Sequence, residues 1–109
     1  MNYKVIATSL FEKKFKRLAK KYPSLKQDIK PLFDDLIANP LQGTPLGKKC
    51  FKIRLGISSK AKGKSGGARV ITFIRIANQT AFLVDIYDKS ETSAVTEKQL
   101  ESIIKQLQD

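Results

Sequence analysis

Phe51 to Glu91 reads FKIRLGISSKAKGKSGGARVITFIRIANQTAFLVDIYDKSE, and it decides the fold. Phe51, Ile53 and Leu55 alternate with Lys52 and Arg54, so Phe51–Ile57 predicts a strand with one buried face. Ser58–Gly67 is SSKAKGKSGG, rich in turn residues and without periodicity, which predicts a loop between two strands. Ala68–Ile76 is a long apolar strand interrupted by Arg69 and Arg75. Ala77–Gln79 makes a tight turn around Asn78, and Ala81–Tyr87 is the next strand. Three strands joined by short links form an antiparallel meander.

Tyr3–Ala7, with Tyr3 and β-branched Val5, reads as a further strand. Ser9 lies three residues before Glu12, the spacing of a capping box, and Phe11, Phe15, Leu18 and Tyr22 follow at helical intervals up to Pro23. Ser24 and Gln27 repeat the capping spacing ahead of the stripe Leu25, Ile29, Leu32, Phe33, Leu36 and Ile37. Pro31 inside that stripe predicts a kink or a fresh helix start. Asn39-Pro40 ends the second helix, and two helices so closely linked lie antiparallel. Leu41–Cys50 reads as a connector rich in Pro and Gly. Thr96 and Gln99 are a third capping pair, with Leu100, Ile103, Ile104 and Leu107 behind them. The expected class is α+β, in the order β-α-α-β-β-β-α. A small, mainly antiparallel twisted sheet carries a helical hairpin on one face and ends in a C-terminal helix.

Composition narrows the function. The 109 residues suit one domain, residues 1–109, and 41% apolar content suffices for a modest core. The single Cys50 excludes an internal disulfide and fits a reducing compartment. With no His and one Cys there is little to build a metal site from, so no metal or other cofactor is expected. Catalysis, if any, runs on Lys, Arg, Tyr, Ser or carboxylates. No apolar run approaches the ~20 residues of a membrane span, and no export leader is evident. A cytoplasmic location is the expectation.

Charge is the strongest functional signal. The net charge is +11, and between Asp35 and Asp85 there are nine basic residues and no acidic one. They are Lys48, Lys49, Lys52, Arg54, Lys60, Lys62, Lys64, Arg69 and Arg75. Such concentration captures polyanions, which gain further from counterion release, so a nucleic acid is the expected partner. Lys48, Lys49, Lys60, Lys62, Lys64 and Arg75 are the candidate backbone contacts. Gly63-Lys64-Ser65 resembles the end of a phosphate-binding loop, but Ser58 stands where the first Gly belongs and a strand follows instead of a helix. Lys52 and Arg54 share one strand face, where lysines often only discourage edge pairing. Arg69 opens an apolar strand and needs a counter-group: either Asp85 on a neighbouring strand or a bound phosphate. Tyr87 fits core packing with its hydroxyl at the rim, or stacking on a base.

The chain resembles the RelE/ParE superfamily of bacterial type II toxins. The resemblance spans nearly the whole length and rests on the element order, Asn39-Pro40, Phe51-Lys52-Ile53-Arg54-Leu55, the run Gly63–Ile71 and Ile86–Glu91. The GKSGGARVI run followed by the Tyr87–Glu91 segment is similar to the HigB-like, RelE-type branch. It implies a ribosome-dependent endoribonuclease that cuts mRNA and is neutralised by a bound antitoxin. It also implies that Lys52, Arg54, Arg69 and Lys89 surround the scissile phosphate, with Tyr87 adjacent. Some members place a second basic residue and a Tyr where this chain has Ser90 and Val95. The alternatives are a ParE-like DNA gyrase inhibitor, a branch that generally lacks this basic set, and a basic RNA- or ribosome-binding module without chemistry.

Overall fold

The computed structural model describes residues 2–60, 66–91 and 94–108. The elements are β1 (Lys4–Ala7), α1 (Ser9–Lys21), α2 (Leu25–Ala38), β2 (Thr44–Gly47), β3 (Cys50–Leu55), β4 (Ala68–Arg75), β5 (Thr80–Asp88) and α3 (Glu97–Leu107). One five-stranded sheet runs in the order β1-β5-β4-β3-β2. β1 pairs parallel with β5, and every other pairing is antiparallel. The expected α+β order therefore stands, with one strand added.

That strand, β2, occupies the stretch read as a connector. Gly47 faces Cys50, leaving Lys48 and Lys49 as a two-residue hairpin turn with φ of 54° and 64°. Two positive φ values make a turn whose twist matches the flanking strands, a position usually filled by Asn-Gly. Lys-Lys gives no such signal, so the hairpin was invisible to a reading of turn residues.

Local capping also departs from expectation. Thr8, not Ser9, caps α1: its hydroxyl accepts from the Phe11 amide at 3.2 Å and donates to the Leu83 carbonyl at 3.0 Å. Ser24 stands at the start of α2 but makes no side-chain cap, because its hydroxyl donates to Asp28 at 2.7 Å. Helix α2 runs unbroken through Pro31. Both Pro31 and Gln27, whose carbonyl loses its helical donor, are exposed, so the missing bond falls on the solvent side of the helix. The Thr96–Gln99 capping box forms as read, with bonds of 3.1 and 2.9 Å.

The sheet is covered on both faces. Ile53, Leu55, Ala68, Val70, Leu83 and Ile86 pack against Phe11, Leu18, Leu25, Leu32 and Leu36 of the helical hairpin. Cys50, Ile71, Phe73, Phe82 and Val84 on the opposite face receive Ile104, with Leu100, Ile103 and Leu107 of α3 around it. This double burial explains why β4 and β5 read as nearly continuous apolar runs. Among the described residues no helix is long and apolar enough to cross a membrane.

Candidate functional site

Strand register assembles the site. Arg54 is directly opposite Arg69, and Arg69 is directly opposite Tyr87, so the three side chains form one row across β3, β4 and β5. The next row on that face is Lys52, Ile71 and Asp85. These rows lie on the α3 side of the sheet, where Ile71 and Tyr87 join the cluster around Ile104. Arg54 and Lys89 are exposed, Lys52 and Tyr87 half-buried, and Arg69 only 7% exposed. Its guanidinium donates to the Ala68 carbonyl at 3.1 Å. The Lys89 amide bonds the Gly67 carbonyl at 3.0 Å, carrying β5 past Asp88 and setting Lys89 beside the strand that delivers Arg69.

Gly67 makes this approach possible. A Cβ there would lie 2.3 Å from the Leu55 carbonyl oxygen, so any side chain would push β4 off β3 and disturb the register that aligns Arg54 with Arg69. Tyr87 has its hydroxyl pKa raised, mainly by burial; the Arg69 guanidinium opposes the shift and Asp85 adds to it. The phenol is therefore protonated at neutral pH and is a proton donor there.

The question of Asp85 is settled by α1. Asp85 is fully buried, and Lys14 from α1 is its ion partner at 2.5 Å. The Ile86 and Val95 amides donate to the same carboxylate at 2.9 and 3.0 Å. Asp85 is thus a joint between α1, β5 and the segment entering α3, rather than the counter-ion of Arg69. The sequence gives no sign of Lys14 in this role, since it sits among six basic residues of α1.

The other cations separate. Lys60 is bound to buried Asp88 at 2.8 Å, and its ammonium lies 5.2 Å from the Tyr22 ring centre. Its ammonium is engaged within the fold, away from the Arg54–Arg69–Tyr87 row. Burial alone would raise the Asp88 pKa, but Lys60, the Tyr22 hydroxyl at 2.7 Å and the Ser90 amide hold it well below the usual carboxylate range. Arg75 lies six residues from Arg69 along β4, about 20 Å away at strand rise. It donates to the Leu107 carbonyl at the end of α3, to Asn78 at 2.8 Å, and stacks over Phe82 at 4.9 Å. Lys48 and Lys49 share that distant end through the bond from the Ile74 amide to the Lys49 carbonyl, and Lys48 pairs with Glu101 at 2.7 Å. Lys48, Lys49 and Arg75 therefore do not join the Arg54–Arg69–Tyr87 row. Lys62 and Lys64 lie outside the described residues.

Asp28 fixes the start of the Lys-rich loop. It accepts from the Ser58 amide at 2.9 Å and the Ser58 hydroxyl at 2.6 Å, while Ser24 and Ser59 exchange bonds of 3.0 and 2.9 Å. Among the described residues no three His, Cys, Asp or Glu side chains gather as metal ligands. Burial pushes the Cys50 thiol up to about 11, with Lys48 opposing, so it packs as an apolar residue.

The family description "RelE toxin of RelE / RelB toxin-antitoxin system" matches residues 4–108. The chain belongs to the RelE toxin family. Solved structures carry the same fold at low identity. An Escherichia coli RelE double arginine-to-alanine mutant in the free state superposes with TM-score 0.63 at 17% identity, covering 98% of this chain and 99% of that one. The same toxin mutant in complex with an antitoxin RelBc peptide gives 0.61 at 14%, covering 94% and 95%. The toxin–antitoxin complex RelBE2 of Mycobacterium tuberculosis gives 0.59 at 19%, covering 82% and 100%. No curated protein matches the sequence. RelE membership accounts for the open mixed sheet with helices on both faces, and the chain is a toxin of a toxin–antitoxin system.

Proposed function

We propose that this RelE-family toxin is a ribosome-dependent mRNA endoribonuclease, of the HigB-like kind, held inactive by its own antitoxin. The observation that carries the reading is the directly opposed pair Arg54–Arg69 with Tyr87 completing the row. Like charges at directly paired positions destabilise a sheet, and an anion between them reverses the sign. A phosphodiester is the anion that also gives Tyr87 a task.

In this reading the RNA 2′-oxygen attacks its own neighbouring phosphorus. The new O2′–P bond forms as the P–O5′ bond breaks, giving a 2′,3′-cyclic phosphate and a 5′-hydroxyl. Nucleophile and electrophile belong to one molecule, so alignment supplies much of the acceleration. Arg69 spans two non-bridging oxygens with its planar fork and neutralises charge that grows toward the phosphorane. Arg54 and Lys52 orient the same phosphate from β3. Tyr87, protonated at neutral pH, delivers a proton to the departing O5′, with Lys89 beside it steadying the 3′ flank. The proton of the 2′-hydroxyl leaves to water. Alignment of the message is left to the ribosome.

The antitoxin reading follows from family membership and from the structures of relatives in which an antitoxin chain is bound. An acidic or amphipathic segment suits a chain of net charge +11. The test is a purified translation system programmed with a defined mRNA. Fragments with 5′-hydroxyl ends that require ribosomes support the reading. Intact mRNA, with translation arrested by retention alone, supports a non-catalytic binder. Intact mRNA with gyrase inhibited supports the ParE-like alternative.

A further inference from the structure

Asp88 is a buried acid that the cleavage scheme leaves without a task, although it stands between Tyr87 and Lys89. Three donors converge on its carboxylate. The Lys60 ammonium at 2.8 Å and the Ser90 amide at 3.1 Å donate to Oδ1, and the Tyr22 hydroxyl donates to Oδ2 at 2.7 Å. Lys60 also stands over the Tyr22 ring, so the three side chains close on one another. A buried ion pair seldom stabilises a fold more than apolar side chains of the same volume would. What such a node supplies is direction: donors fixed on three separate elements allow the Asp88 carboxylate one orientation.

The node lies on the other side of the sheet from the Arg54–Arg69–Tyr87 row. Tyr22 and Ile86 pack in the cluster under the helical hairpin and Tyr87 in the cluster under α3, and strand alternation puts Asp88 on the side of Ile86. It therefore backs the row from behind and acts on what Asp88 carries. Asp88 is directly opposite Ala68, whose carbonyl accepts from the Arg69 guanidinium. The next residue, Lys89, is tied to the Gly67 carbonyl through its amide, and the Glu91 amide closes the turn on the Asp88 carbonyl at 2.9 Å. Lys89 itself is exposed and its ammonium rides on a flexible stem, so the backbone of this turn decides where it reaches.

We infer that Asp88, held by Lys60 and Tyr22, is a positioning residue for the cleavage site: it fixes the 88–91 turn so that Lys89 stays on the 3′ side of the scissile phosphate, beside Arg69. The inference deepens the RNA-cutting reading and rests on it for the reaction. Lys60 and Tyr22 act through Asp88 and take no part in the chemistry.

The test is a double-mutant cycle on single-turnover cleavage by programmed ribosomes, at saturating ribosome concentration and well below the melting transition. Tyr22→Phe removes one hydroxyl, keeps the ring against Lys60 and leaves the Asp88 carboxylate its ammonium. It is expected to lower the cleavage rate about tenfold, within the ~10² that a displaced catalytic group can cost, with half-saturation unchanged. In a Lys89→Ala background the same change is expected to cost less than about twofold, and in a Lys52→Gln background about the full tenfold, because only Lys89 depends on the turn. The second measurement is amide exchange in the free protein. Lys89 and Ser90 are expected to exchange at least about fivefold faster in Tyr22→Phe, with Val70 and Ile86 unchanged. A loss of the same size with and without Lys89 would reduce the node to a structural support and overturn the inference. So would an unchanged cleavage rate in Tyr22→Phe, or unchanged exchange at Lys89 and Ser90. Wild type that leaves mRNA intact strikes the RNase reading, and exchange then decides alone whether the node fixes the turn.

Discussion

Arg69→Ala should remove cleavage and leave the fold standing, and the structure explains why the two effects part. Arg69 is 7% exposed and donates to the Ala68 carbonyl at 3.1 Å. Each neutral hydrogen bond lost with the guanidinium costs about 0.5–1.5 kcal/mol. Removing a like charge opposite Arg54 returns roughly 0.2–1 kcal/mol. The net change should stay below the roughly 3–5 kcal/mol that a stranded buried charge costs. Asp85 is not stranded, because Lys14 and two amides hold its carboxylate. Transition-state stabilisation is another matter: deleting one preorganised donor lowers the rate by ~10²–10³. The assay is a thermal melt beside single-turnover cleavage on programmed ribosomes, with Lys14→Met as the contrast. Lys14→Met strands a fully buried carboxylate and should cost about 3–5 kcal/mol. The reasoning is refuted if Arg69→Ala melts as early as Lys14→Met, or if its folded fraction still cuts at a rate near wild type.

Lys60→Met should destabilise by about 3–5 kcal/mol, because it leaves buried Asp88 without its ammonium, and a urea melt at pH 7 reads this directly. The depressed Asp88 pKa gives stability that is present above the unfolded carboxylate value, near pH 4, and disappears as pH falls through the lower folded value. The raised Lys60 pKa gives stability that is present below the unfolded lysine value, near pH 10.4, and is lost as pH rises through the folded one. Wild type should therefore lose stability at both extremes, and a pH series on Lys60→Met should show both losses blunted. Lys49→Gly should raise stability by about 0.5–1 kcal/mol, since glycine carries no penalty at the φ of 64° that Lys49 holds; a higher melting temperature checks it. Cys50, its thiol raised to about 11 by burial, should resist alkylation at pH 8 until urea unfolds the chain, and labelling in native buffer would contradict its place under α3.

Much of this architecture is local and therefore legible in the chain. The alternation of Phe51, Ile53 and Leu55, the helical stripe Phe11–Leu18 and the Thr96–Gln99 box each encode an element through neighbours a few residues apart. Lys52 and Arg54 share a face by strand period alone. What escaped was set by pairing at long range. β2 is a strand only because β3 offers it a ladder, across a turn whose Lys-Lys has no turn preference. A hydroxyl reaches for the nearest unsatisfied group, so Thr8 displaced Ser9 as the cap once Leu83 was beside it, and Ser24 turned to Asp28.

The candidate site divides in the same way. By itself the sequence determined that the middle of the chain is a run of cations without carboxylates and that Arg69 enters an apolar strand needing a counter-charge. Which cations act together was decided only by register and helix packing. Register set Arg69 between Arg54 and Tyr87 and left Arg75 at the far end of β4, clamped to the last turn of α3. Packing sent Lys14 to Asp85 and Lys60 to Asp88, because a buried carboxylate must take whichever ammonium the tertiary fold brings within reach. Charge is counted along the chain, but its partners are chosen across it.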